Sequence, residues 1–187
     1  MTQASRTYTI GPHTGWLHLR TGRDGVASRA GHDLLLAVER WSGQVLLDPS
    51  DPGSASVQVR VDVGSLQVLK GTGGVAALSA DDRAEITKTS LRLLEVDTHP
   101  EATFTSYRVV PDAHGGTVEG TLTLHGRGAP VALSVVVAGP SSWRATATVL
   151  QSDFGIKPYR AFFGALRLHD AVQVEVGVDV RVDPDAT

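Results

Sequence analysis

The sequence predicts an all-β domain, an eight-stranded antiparallel up-and-down barrel with one short helix. Three observations carry this. Segment after segment alternates apolar with polar residues, which puts the two kinds on opposite faces of extended strands. The last such segment, residues 171–183, sets Val172, Val174, Val176, Val178, Val180 and Val182 against Gln173, Glu175, Gly177, Asp179 and Arg181. Strands average about five to six residues, so one this long suits a tilted, closed barrel better than a small sandwich. Finally, one stretch, residues 80–94, carries a helical pattern of apolar residues.

In chain order, residues 7–10 and 16–20 flank Gly11-Pro12-His13-Thr14-Gly15 and read as one strand entering through a bend. After the short segment 26–30, Gly31-His32-Asp33 interrupts before an apolar run at 34–37. Residues 40–47 place Trp41, Val45 and Leu47 at even spacing and stop at Asp48-Pro49-Ser50-Asp51-Pro52-Gly53, a surface loop by its turn chemistry. Residues 56–62 alternate cleanly, with Val57, Val59 and Val61 on one face. Gly71-Thr72-Gly73-Gly74 reads as a flexible loop before the helix.

Ser79 with Asp82, then Asp82 with Glu85, form capping-box starts for that helix. Ile86, Ser90, Leu93 and Leu94 make one stripe, and acidic residues at the start and Arg92 near the end suit the helix dipole. A strand at 102–110 follows. The most regular stretch is 117–138, where Val118, Gly120, Leu122 and Leu124 precede His125-Gly126-Arg127-Gly128, and Val131, Leu133, Val135 and Val137 follow it. That is a long hairpin with one apolar face, which alone would be marginal in water, so other strands must cover it. A strand at 143–151, an aromatic loop at 155–164 and the final strand complete a single domain, 1–187.

Composition excludes several functions. The net charge of −3 has both signs scattered, so no electrostatic footprint for nucleic acid exists. With no cysteine, disulfides, thiolate catalysis and cysteine metal sites are absent. No run of about 18 apolar residues could span a membrane. The first residues lack the basic and apolar regions of a secretory signal, so a cytoplasmic protein is expected. Gly71-Thr72-Gly73-Gly74 lacks the Lys-Ser/Thr of a phosphate loop, and Gly139-Pro140-Ser141-Ser142-Trp143 lacks the second glycine of a nucleophile elbow. Asp153-Phe154-Gly155 matches a kinase triplet without the rest of the kinase set.

The seven histidines lack short metal-ligand spacings; His13 and His18 are nearest, five apart, and a site would have to be assembled from distant strands. No metal and no cofactor are therefore expected. Gly31-His32-Asp33 has two readings. His32 could receive a polar head group or act in acid–base chemistry, or the segment could be a turn whose histidine contacts a nearby carbonyl. Adjacent residues on an extended chain point to opposite faces, so His32 and Asp33 should not pair with each other. Trp16, Trp41 and Trp143 read as core or barrel-plug residues.

Four separated segments, in order, resemble one family. Glu85-Ile86 in the helix, then Asp97-Thr98-His99-Pro100-Glu101-Ala102-Thr103-Phe104-Thr105-Ser106, look like the family's helix and strand start. Gly120-Thr121-Leu122-Thr123-Leu124-His125-Gly126 with Pro130-Val131-Ala132-Leu133, and later Ser152-Asp153-Phe154-Gly155-Ile156-Lys157-Pro158, complete the likeness over roughly residues 7–182. The family is that of the YceI-like, lipocalin-shaped polyisoprenoid-binding proteins. The chain departs from it at Arg29-Ala30-Gly31-His32-Asp33, where members often carry an aromatic- or valine-rich segment.

The resemblance implies an extended lipocalin-like barrel that binds, transports or stores an isoprenoid or lipid-like molecule without catalysis. The residues agree in one respect. An eight-stranded barrel is either just filled by side chains or holds one small ligand. Here the inward candidates Val57, Val59, Val61, Ala145, Ala147, Val174, Val176 and Val178 are small, which favours a cavity. Phe104, Leu122 and Leu124 are further candidate contacts. Phe154, Tyr159, Phe162 and Phe163, with Lys157 and Arg160, would form either a lid with cations for a polar head or an ordinary plug of the barrel end. Two other functions remain open: a hydrolase or isomerase of a lipid-like substrate using His32, His125 or His169, and a filled barrel acting as a homodimer.

Overall fold

The computed structural model describes residues 5–179. Among them, β1 (Arg6–Ile10), β2 (Gly15–Asp24), β3 (Asp33–Val38), β4 (Trp41–Leu47), β5 (Ser56–Asp62) and β6 (Leu66–Thr72) precede the helix α1 (Ala80–Leu93). After it come β7 (Glu101–Asp112), β8 (Gly115–Leu124), β9 (Arg127–Val137), β10 (Ser142–Leu150), β11 (Arg160–Ala161) and β12 (Leu166–Asp179). The strands form one antiparallel sheet in the order β1-β4-β5-β7-β8-β9-β10-β12-β2-β3-β6, with β11 added on β12. The sheet curls on itself as a half-barrel, and its two edge strands, β1 and β6, both contribute to one buried cluster. Ile10 of β1 lies in one buried cluster with Leu17, Leu34, Leu36, Val38, Trp41, Leu66 and Val68.

The all-β class and the single helix follow from the alternation and the one helical stripe. The strand count does not: twelve strands stand where eight were expected. The segments at 7–10 and 16–20 are two strands with different partners, β1 on β4 and β2 between β12 and β3. Leu66–Thr72 is a strand, of which the sequence reading assigns only Gly71 and Thr72, to a loop; a bulge opposite Leu35 and Leu36 breaks its alternation, which hid it. The order is also not simply up-and-down, because β2 and β3 pair at the far side of the sheet from β1.

Helix α1 begins as its sequence demands. Ser79 caps it, accepting a hydrogen bond from the Asp82 amide at 3.1 Å, while the Asp82 carboxylate accepts from the Ser79 amide at 2.9 Å. The second expected box, Asp82 with Glu85, does not form. The helix covers the sheet edge at β6, where the Val68 amide donates to Thr87 Oγ1. It ends in a Schellman motif: the Val96 amide reaches the Leu91 carbonyl and the Glu95 amide that of Arg92. This motif needs a left-handed residue, and Glu95 supplies it at φ 48°.

The hairpin of β8 and β9 pairs Gly115 through Leu124 with Val136 through Arg127, as its alternation requires. The reversal is tighter than expected. His125 and Gly126 alone make it, at φ 53° and 71°, the left-handed pair of a type I′ turn, and Arg127 already belongs to β9. On the apolar face, the Phe104 ring lies over Gly120; a Cβ there would fall 2.3 Å from the ring. Trp41 is core, but Trp16 points outward and stacks on His18 with ring centroids 4.5 Å apart. Val180, Val182 and the rest of the final predicted strand past Asp179 lie outside the described residues.

Candidate functional site

The alternating strands turn one continuous apolar face inward, and it encloses a cavity of about 550 Å³. That lies within the roughly 300–1,000 Å³ of small-molecule sites. Leu17, Leu19, Leu34 and Leu36 of β2 and β3 form one wall; Val57, Val59 and Val61 of β5 with Phe104 of β7 form another. Val118, Leu122 and Leu124 of β8, Val131, Leu133 and Val135 of β9, and Ala145, Ala147, Val174, Val176 and Val178 of β10 and β12 complete the barrel wall. Leu93 and Leu94 of the helix end, with Ile156 and Tyr159, close one end.

Among the described residues, no Asp, Glu, Lys, Arg or His lines this space. Its few polar side chains, Thr21, Ser90, Thr103, Ser141, Gln151 and two tyrosines, are neutral. A charged group taken inside would lose its hydration with no counter-ion, at a cost of several kcal/mol. The cavity therefore suits an uncharged apolar body, with any polar group at an end. It holds no nucleophile–base pair and no acid–base pair.

Of the residues singled out from sequence, Val59, Val61, Phe104, Leu122, Leu124, Ala145, Ala147, Val174 and Val176 line the cavity. His32, Phe154, Lys157, Arg160, Phe162 and Phe163 do not. His32 Nε2 contacts the Ala76 carbonyl at 2.7 Å and so pins the loop before α1. Asp33 turns away to accept from the Arg23 amide at 3.0 Å, so the two do not pair. Phe154 is 1% exposed and packs with Val149 and Ile156, a plug rather than a lid. Lys157 and Arg160 are exposed, and Phe163 is wholly so, with Phe162 largely so. The cationic lid thus does not cover the cavity; Ile156 and Tyr159 are the members of that loop that reach it.

Sequence reasoning missed two things. Leu34, Leu36, Leu93 and Leu94 are wall residues; the stripe holding Leu93 and Leu94 was visible, but not what it faces. Outside the wall, Glu95, His99 and His125 come together with ligand atoms all within 4.8 Å of one another. The 25 residues between the two histidines conceal this, because β7 leads away from His99 and β8 returns to the turn that holds His125. His18 lies elsewhere, on the outer face. Its partial burial holds its pKa below the ordinary value, against Glu175, which raises it, and with Arg20, which lowers it further.

A family model, the YceI-like domain, matches residues 24–183. Among solved structures the chain is similar to BcnA of Burkholderia cenocepacia, at 20% identity and TM-score 0.61, over 90% of this chain and 96% of that one. It is also similar to the YCEI protein of Campylobacter jejuni, at 14% identity and TM-score 0.58, over 79% of this chain and 85% of that one. These likenesses show a shared fold. No curated protein matches the chain. No helix among the described residues is long and apolar enough to cross a membrane.

Proposed function

The chain belongs to the family of YceI-like domains, and from that premise we propose that it binds and carries or stores a long apolar molecule, an isoprenoid or similar lipid, without catalysing its reaction. One observation carries this reading: a cavity of about 550 Å³ whose lining is apolar and uncharged.

Magnitudes set the kind of ligand. Each buried CH₂ contributes about 0.8 kcal/mol, while association costs at least about 4 kcal/mol. A micromolar complex, about −8 kcal/mol net, thus needs roughly 15 buried CH₂ equivalents. Short hydrocarbons fall below that threshold and long prenyl or acyl chains exceed it. The neutral polar side chains, Gln151 and Tyr159 among them, suit a hydroxyl or carbonyl terminus rather than a buried carboxylate. The absence of Asp, Glu, Lys, Arg and His from the lining, among the described residues, supports binding over lipid hydrolysis or isomerisation. The open volume supports a hollow barrel over a filled one.

The test is mass spectrometry of an organic extract of the purified protein, with binding of added prenyl alcohols of increasing length. We expect a long-chain lipid near one per chain, and affinity that climbs steeply with chain length. Empty extracts together with no uptake of added lipids would remove the carrier reading.

A further inference from the structure

We infer that Glu95, His99 and His125 form a zinc-class divalent metal site, which ties the end of helix α1 to the β8–β9 turn from outside the cavity.

The three side chains converge from two elements. Glu95 and His99 are set four apart by the turn after α1, in which the His99 amide donates to the Glu95 carbonyl at 2.8 Å. His125 comes from the hairpin tip, and its ring lies edge-on to that of His99 with centroids 4.9 Å apart. His99 fits there only because its neighbour across the gap is glycine: a Cβ on Gly126 would fall 2.7 Å from the His99 ring.

The surroundings of His125 suit a cation. Its Nδ1 lies 3.1 Å from the carbonyl of Phe154, the most deeply buried large side chain. A carbonyl only accepts, so Nδ1 donates to it, and Nε2 is the ring nitrogen turned toward Glu95. That arrangement, with the far nitrogen bonded to a backbone carbonyl, orients and strengthens metal-ligating histidines. Nε2 is buried and has no hydrogen-bond partner, although Glu95 Oε2 lies 3.3 Å away. A ring nitrogen and a carboxylate oxygen this close need positive charge between them, which a proton or a metal ion held by both would supply, and zinc titration separates the two.

Distance agrees. Two ligands each about 2.0–2.1 Å from a tetrahedral zinc ion lie about 3.3–3.4 Å apart. The Nε2–Oε2 separation already equals this. The other separations lie within 4.8 Å, and the Glu95 side chain, 59% exposed, is free to swing and shorten its own. That exposure also gives the ion a path from solvent. Two histidines and one carboxylate leave a fourth position for water.

The backbone adds a separate sign. Four non-glycine residues among those described have positive φ, and Glu95 and His125 are two of them. Glycine or asparagine would hold either turn more cheaply. Strained residues of this kind gather at functional sites. The site uses none of the cavity's residues, so it stands or falls independently of the lipid.

The experiment is a zinc titration of the chelator-treated full chain against a chromophoric competitor, with melting followed in parallel. We expect one Zn²⁺ per chain and a melting temperature that climbs with zinc concentration. His99→Gln and His125→Gln should each weaken binding by more than the ten- to hundredfold typical of losing an outer partner. His13→Ala, far from the cluster in sequence, should leave it unchanged. His99→Gln keeps the contact of His125 with Phe154, so it remains informative if His125→Gln folds poorly. No zinc uptake, or uptake equal in the wild type and His99→Gln, would overturn the assignment, the latter outcome marking adventitious binding to scattered histidines.

Discussion

Leu94 and Leu124 line the cavity, and the residues that follow them, Glu95 and His125, stand in the polar cluster just outside it. The two places are built in opposite ways. The wall is assembled from strand positions of period two, about forty side chains sharing one environment, with no single one decisive. The cluster is assembled from turn positions, three side chains held by two left-handed residues. A change in the wall therefore acts through the environment, by volume or by charge. A change in the cluster acts through one atom. Helix α1 connects them, because its last residue, Leu93, faces inward and Glu95, two residues on, faces outward.

The largest effect should come from placing a charge in the wall. Val118 is buried and lies between Val109 and Leu133, all three facing the cavity. Val118→Asp leaves an uncompensated buried charge, with an expected cost of about 3–5 kcal/mol. Denaturant unfolding measures it. A loss under 1 kcal/mol would mean that water fills the space, and the contrast between wall and cluster would fail.

Next in size is the helix that joins the two regions. Ser79→Ala removes the cap and should cost about 1 kcal/mol. The bonds from the Ser79 side chain, then its amide, hold the Asp82 carboxyl below its ordinary 3.8. A carboxyl whose folded pKa lies below its unfolded one contributes stability above that ordinary value and loses it as pH falls through the lowered one. Acid melting of wild type should thus show a loss below pH 3.8 that shrinks in Ser79→Ala. Equal acid sensitivity of the two proteins would assign the loss to other carboxylates.

Smaller, and opposite in sign, is Glu95→Gly. Relieving the left-handed glutamate should raise metal-free stability by about 0.5–1 kcal/mol, while abolishing any zinc-dependent gain. A destabilised variant would show that Glu95 serves the fold itself rather than an ion.

The same contrast explains what could be read from the sequence. Period-two alternation reports which residues share a face, so Val57, Val59, Val61, Ala145, Ala147, Val174 and Val176 were legible as a group. The Ser79–Asp82 cap and the reversal at His125-Gly126 were legible because their chemistry is local. Alternation does not report which strands meet, so β1 and β2 merged into one and the bulged β6 was lost. Nor does it report loops: the aromatic run at Phe162-Phe163 reads as either a lid or a plug of the barrel end but lies exposed to solvent. The metal-ligand set was hidden for the same reason, since Glu95 and His125 meet only through two turns whose relative placement depends on the whole sheet.

The central claim, a hollow apolar interior occupied by lipid, is tested most directly by Val176→Trp, with melting and lipid uptake measured on the same variant. Val176 lies in the middle of β12, between Ala145 and Leu17, and faces the cavity. In a packed core the added volume would cost about 1–3 kcal/mol or more. In a hollow one the indole enters the open space and competes with the ligand. The account predicts near-normal melting with sharply reduced uptake of long prenyl lipids. A collapse in stability would show a filled interior, and undiminished uptake would place the lipid elsewhere; either would contradict it.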